Sequence, residues 1–190
     1  QQCRRCDHDD GLAIGALHRF VADGDKETEK PYVPERQPAS GKKVAIVGAG
    51  PAGLSAAFYL QARGHQCVLF DAQPEPGGML RYGIPEYRLP KNDLDAEIKS
   101  IRDLGAEFHL RKTWGADFTL AGLREQYDAV FLGIGAQRAQ GLRCEGEELA
   151  LSGIEFLDLV AKGNPPTLGT DVIVVGGGKT AMDCARSAVR

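Results

Sequence analysis

Three glycines, one acid and their spacing carry the first chemistry legible in this chain. Gly48, Gly50 and Gly53 follow the apolar run Val44-Ala45-Ile46-Val47 and lead through Ala49, Pro51 and Ala52 into an alanine-rich stretch. A strand that turns directly into a helix in this way offers free backbone N–H groups and the positive end of a helix dipole, a cradle suited to a pyrophosphate. Gly48 allows the tight turn, Gly50 lets the backbone approach the phosphates, and Gly53 lets the helix lie close on the sheet. Pro51 and Ala52 open the helix, and a proline there forfeits no needed donor. A bare glycine triplet could simply close a turn. Here Asp71 ends a second apolar run, Gln66-Cys67-Val68-Leu69-Phe70, about twenty residues beyond the glycines, where a carboxylate can accept the ribose hydroxyls of an adenosine half. A related turn, G-x-G-x-x-A, recurs at Gly176, Gly178 and Ala181 with Lys179 and Thr180 between them. Its distance from the first makes it a second nucleotide site rather than a repeat within one fold.

The elements that must position these residues read as alternating strands and helices. Residues 44–47 and 66–70 are buried parallel strands, Phe108 and Leu110 mark a third, residues 128–136 a fourth that ends in glycines, and residues 171–175 a strand feeding the second turn. Leu94, Ile98, Ile101 and Leu104 recur at helical spacing up to Gly105, with shorter helices at 120–126 and 154–161. Near the start, Asp9 or Asp10 is a suitable N-cap for an amphipathic helix over 12–21, whose Ile14, Leu17 and Val21 share a face that should pack on something. Residues 24–41, with Pro31, Pro34 and Pro38, read as a linker. Residues 73–90 are dense in Gly and Pro yet carry Met79, Leu80, Tyr82, Ile84, Tyr87 and Leu89, which suits irregular backbone walling a pocket for a large flat ring.

The 190 residues are 43% hydrophobic and 26% charged, with a net charge of −3, so nothing argues electrostatically for nucleic acid or an anionic membrane. With no apolar run near 20 residues and no signal-peptide pattern, the cytoplasm is the expected location. The chain opens at Gln1 and stops at Arg190 within an expected helix, as a piece of a longer polypeptide would. Cys3 and Cys6 form a C-x-x-C pair that is equally compatible with a partial iron–sulfur site, reactive or paired thiols, or plain reduced cysteines. His18 and His109 have no partner at metal spacing, and Trp114 reads as packing.

Residues 44–57 (VAIVGAGPAGLSAA), 76–91 (PGGMLRYGIPEYRLPK), 127–137 (YDAVFLGIGAQ) and 172–190 (VIVVGGGKTAMDCARSAVR) resemble the glutamate synthase small (β) subunit family. That family includes the flavin end of dihydropyrimidine dehydrogenase and related NAD(P)H-dependent iron–sulfur flavoproteins. The second stretch is the most specific of the four. The resemblance implies an α/β fold: the tail of an N-terminal helical iron–sulfur module plus linker at 1–40, an incomplete Rossmann-like FAD-binding domain at 41–145, and the start of a second Rossmann-like NAD(P)H-binding domain at 146–190. It implies FAD in the first turn, NADPH or NADH in the second, and residues 76–91 along the isoalloxazine, with Gly78, Leu80 and Arg88 carried over and Gly135 as the glycine of the second FAD-contacting strand end. Cys3 would match the last cysteine of the family's [4Fe–4S] module, the other ligands lying outside this chain, whereas Cys6 has no counterpart. Lys179 departs from the Asn or Asp usual there. The implied activity passes a hydride from NAD(P)H to FAD and then electrons, singly, to iron–sulfur clusters. A glutamate synthase, formate dehydrogenase or hydrogenase partner, or a fused pyrimidine-reducing domain, would be the acceptor. The alternatives are a pyridine nucleotide-disulfide reductase, or a nucleotide-binding electron-transfer module without catalysis.

Overall fold

A computed structural model describes residues 4–28, 32–136, 139, 141 and 143–190, which divide into two units, Gln1–Glu35 and Arg36–Arg190. In the first, a 3₁₀ turn at Arg4–Asp7 precedes helix α1, Ile14–Lys26. Its N-cap is Ala13, with no side-chain cap, rather than Asp9 or Asp10. Asp9 is engaged elsewhere: its carboxylate accepts from the Asp10 N–H at 2.8 Å and pairs with Arg5 at 3.1 Å. The shared face of α1 is also bare, with Ile14, Leu17 and Val21 all exposed. The helix runs on through Gly24, so the expected linker starts later than residue 24.

The second unit is built on four parallel strands, β1 (Lys43–Val47), β2 (Gln66–Asp71), β3 (Glu107–Leu110) and β4 (Ala129–Leu132), in the order β3-β2-β1-β4. Parallel neighbours require crossovers, supplied by α2 (Pro51–Ala62), the turn α3 (Met79–Tyr82) with α4 (Lys91–Asp103), and α5 (Leu120–Gln126). A 3₁₀ turn at Glu147–Leu149 and the helices α6 (Gly153–Ala161) and α7 (Lys179–Ala188) follow.

Alternation along β1 divides the core. Val44 and Ile46 face α2 and α4, packing with Cys67, Leu69, Leu54, Leu94, Ile98 and Ile101, while Ala45 and Val47 join Val68, Phe70 and Leu123 on the other face. Both faces are covered, which is why β1 and β2 read as unbroken apolar runs. The chain leaves β1 between the two directions in which the strand order grows, the place where open α/β sheets bind ligands. Residues 37–40 are not a free linker end: the Gln37 N–H donates to Ala62 O at 2.8 Å and the Ser40 N–H to Gly64 O at 3.0 Å, fastening them to the end of α2.

Residues 171–175 do not form the expected strand. Among the described residues no strand pairs with them, and Ile173 and Val175 are exposed. An apolar run becomes a strand only when a neighbour takes up its backbone groups. No helix among the described residues is long and apolar enough to cross a membrane.

Candidate functional site

At the end of β1 the Gly48 N–H donates to Phe70 O at 2.7 Å and the Gly133 N–H to Val47 O at 2.8 Å, so the sheet ladder carries the chain into the turn. Gly48 has φ +102°, and a Cβ there would lie 2.3 Å from Gly133 O. Gly53, buried in α2, would place a Cβ 1.8 Å from Gly48 O, so helix and turn touch backbone to backbone. Gly50 caps α2 at φ −82° and ψ −171°. A Cβ added at Gly50 would meet, among the described residues, just the Gly78 Cα at 3.7 Å, which leaves backbone surface open to a phosphate. The N–H groups of Ala52 and Gly53 lie in the first turn, where a helix makes no internal bond to them. Asp71 ties this turn to β2: its Oδ2 accepts from the Ala49 N–H at 2.7 Å and its Oδ1 from the Gln73 N–H at 2.8 Å. The cradle therefore fits a dinucleotide pyrophosphate, and the acid expected at the ribose stands beside it.

Residues 76–91 are anchored to this turn. The Gly77 N–H donates to Ala49 O at 2.8 Å, and Gly78, at φ +51°, lies so close to Gly50 that a Cβ would come within 2.8 Å of its Cα. The segment is not wholly irregular, because residues 79–82 close the helical turn α3, carrying half-buried Leu80 and buried Arg81 and Tyr82. Arg81 donates to Pro76 O at 2.6 Å and pairs with Glu75 and Asp95. Lys91 ties the segment together, its Nζ donating to Leu80 O at 2.9 Å and to Ile84 O at 2.6 Å, and burial lowers its pKa below the ordinary lysine value. Arg88 reaches Asp183 of α7, Nη1 to Oδ2 at 2.5 Å. Gly135 follows β4 at the same edge of the sheet, exposed and at φ +70°.

The second turn repeats the first in its backbone. Gly176 has φ +131°, and Gly178 caps α7 at φ −80° and ψ 174°, close to the angles of Gly50. No described residue lies within 4 Å of a Cβ placed at Gly177 or Gly178, whereas one at Gly176 would meet the Ala181 methyl at 3.3 Å. Lys179 and Thr180 are exposed at the head of the helix. The turn into the helix is thus present without the strand.

Residues 42–190 match the family model described as pyridine nucleotide-disulphide oxidoreductase. The chain belongs to that family. The beta subunit of the NADP(+)-dependent formate dehydrogenase of Moorella thermoacetica is 42% identical over 100% of this chain and 31% of its own length. The small chain of the Escherichia coli glutamate synthase [NADPH] is 37% identical over 99% of this chain and 43% of its own length, as the resemblance led one to expect. Among solved structures, Mycobacterium tuberculosis FprA in complex with NADPH aligns over 79% of this chain and 36% of that one, at 26% identity and a TM-score of 0.66. The chain thus spans under half the length of these relatives.

The pyridine nucleotide-disulphide oxidoreductase name directs attention to cysteines. Cys67 is buried in β2, which pushes its thiol up to about 11, and Cys184 in α7 is likewise raised by burial and then by the charge of Asp183. Neither is a ready nucleophile, since only the thiolate reacts. Cys6 and Cys144 are exposed, and Cys3 lies outside the described residues. Among the described residues no group of three or more His, Cys, Asp or Glu could hold a metal ion. Motif reading missed the roles of Asp183 and Lys91, and it placed Tyr87 as pocket wall without its bond to Asp183. The Asp183 carboxylate is buried, and its burial is invisible until the partner segment is known.

Proposed function

We propose that this chain is the part of an NAD(P)H-dependent flavin oxidoreductase that holds FAD at its first glycine turn and NADPH at its second. What supports the reading is one observation: two turns far apart in sequence share a positive φ at the first glycine and matching cap angles at the third residue, Gly48 with Gly176 and Gly50 with Gly178. Both leave the amino end of a helix open to an anion.

On this reading Gly48, Gly50, Pro51, Ala52 and Gly53 cradle the FAD pyrophosphate and Asp71 accepts from its ribose. Gly78 and Leu80, the latter's carbonyl held by Lys91, would line the flavin ring together with Arg88 and Gly135. Gly176, Gly178, Thr180 and Ala181 receive the NADPH pyrophosphate. Lys179 sits where the helix dipole opposes a cation, and a phosphate there offsets that cost. Bound FAD supplies the step from hydride to single electrons, and the protein's work is to place the two nucleotides and exclude water. An electron-accepting subunit is part of this reading, and the relatives, named as a subunit and a small chain, support it. A [4Fe–4S] cluster with Cys3 among its ligands is the proposed first acceptor.

The test is anaerobic titration of the intact, FAD-loaded polypeptide with NADPH. Loss of the visible flavin absorption at about one equivalent is the expected result. A flavin spectrum untouched by either NADPH or NADH overturns the proposal.

A further inference from the structure

The carboxylate of Asp183 has both oxygens committed to a segment 95 and 96 residues earlier in the chain. Its Oδ2 pairs with Arg88 Nη1 at 2.5 Å, and its Oδ1 accepts from the Tyr87 hydroxyl at 3.2 Å. The Asp183 side chain is only 7% exposed. Two further residues at this end of the chain lie over the Tyr87 ring, Arg190 with its Cζ at 4.2 Å from the centroid and Arg186 at 5.6 Å. Removing a carboxylate from water is unfavourable unless charged and hydrogen-bonding partners replace the solvent, so α7 keeps this position only while Tyr87 and Arg88 are docked.

The other end of that segment is fixed to the first turn through Gly77 and Gly78, while the Lys91 Nζ binds Leu80 O and Ile84 O within the segment itself. Asp183 lies five residues past Gly178, about 7 Å along the helix. We infer that Asp183 is a positioning residue: by holding Arg88 and Tyr87 it sets the spacing and tilt between the two nucleotide turns, and hydride passage between them depends on it. The tether stands on the contacts alone, while its consequence for hydride passage rests on the function proposed above.

Hydrogen exchange on the intact, FAD-loaded protein tests the tether. Asp183→Ala should speed exchange across residues 84–91, and Arg88→Ala should speed it across α7, each by about tenfold or more, with β1 and β2 unchanged, because coupling is reciprocal. Faster exchange confined to the mutated element in either variant overturns the inference. Rapid mixing with NADPH tests the consequence. Asp183→Asn, which keeps the side-chain volume, should lower the limiting rate of flavin reduction by about tenfold or more while leaving flavin content and the apparent NADPH Kd within about twofold, since a small misplacement of reacting groups costs rate rather than binding. Asp183→Glu should recover part of the rate. A raised Kd with an unchanged limiting rate makes Asp183 a binding group and sinks the positioning role. If the parent protein itself is not reduced by NADPH, the proposed function fails, and the reciprocal exchange result still decides whether the tether exists.

Discussion

A methyl group added at Gly53 would sit 1.8 Å from the carbonyl oxygen of Gly48 and 3.1 Å from a methyl of Ile46. The first obstacle is backbone in a turn that is bonded to β2 and to the end of β4, so it cannot swing away as a side chain tip would. Gly177 is the contrasting case, in the second turn with no described residue within 4 Å of the same addition. Gly53→Ala should therefore lower the free energy of unfolding by about 2 kcal/mol or more, outweighing the roughly 1 kcal/mol by which alanine favours a helix over glycine. Gly177→Ala should shift it by no more than about 0.5 kcal/mol. Urea denaturation followed by circular dichroism separates the two, and equal effects would mean that the first turn yields where the contacts say it cannot. Asp71 makes a related point about residue roles. The acid expected at a ribose is also bonded to the backbone of Ala49, so a change there disturbs the turn as well as any sugar contact.

Helix ends decide how firmly each element is set. Thr119 caps α5 by accepting from the Gly122 N–H at 3.1 Å, and α5 delivers Leu123 to the face of the sheet that holds Phe70. Ser152 occupies the same place before α6 but makes no side-chain cap bond. Thr119→Ala should cost about 1 kcal/mol, and Ser152→Ala only about a few tenths, measured by thermal unfolding of each variant. A larger loss at Ser152 would show that its hydroxyl is engaged in a way these contacts do not contain. Elements with their own internal logic were legible in the sequence: the apolar runs of β1 and β2, the spacing of Leu94, Ile98 and Ile101 that makes α4, and the turn into α7. Elements that depend on a distant neighbour were not. Residues 171–175 have the composition of a strand but no described strand beside them, and the cap expected from Asp9 or Asp10 was drawn off by a nearer ion pair and backbone N–H. The glycines of both turns could be placed because their spacing is itself the signal, whereas the Arg88–Asp183 pair joins positions whose proximity no local pattern encodes.

At the scale of the whole second unit, apolar burial is unevenly shared. Both faces of β1 and β2 are covered, by α2 and α4 on one side and α5 on the other. The pair α6 and α7 has a small cluster of its own, Phe156, Leu157 and Cys184, with Val160, Val174 and Ala188 partly buried around it. Three buried side chains, at about 1.5–3 kcal/mol each before the entropy of ordering two helices is subtracted, cannot match a sheet enclosed on both faces. The contacts from Asp183 to Arg88 and Tyr87 add to α7, yet the ion pair among them involves an Arg88 side chain that is 37% exposed and therefore screened by solvent. The second nucleotide turn should thus open as a unit of its own, below global unfolding. In hydrogen exchange over a series of low urea concentrations, amides of α7 should exchange through an opening at least about 2 kcal/mol cheaper than that of β1 and β2, with α6 following α7. NADPH, if it binds the turn at Gly176, should raise the α7 opening energy and leave that of β1 unchanged, because a ligand stabilises only the states that hold its site. Equal opening energies for α7 and β1 without nucleotide would mean that the two turns are carried by one cooperative core, with the small cluster no longer a separate unit.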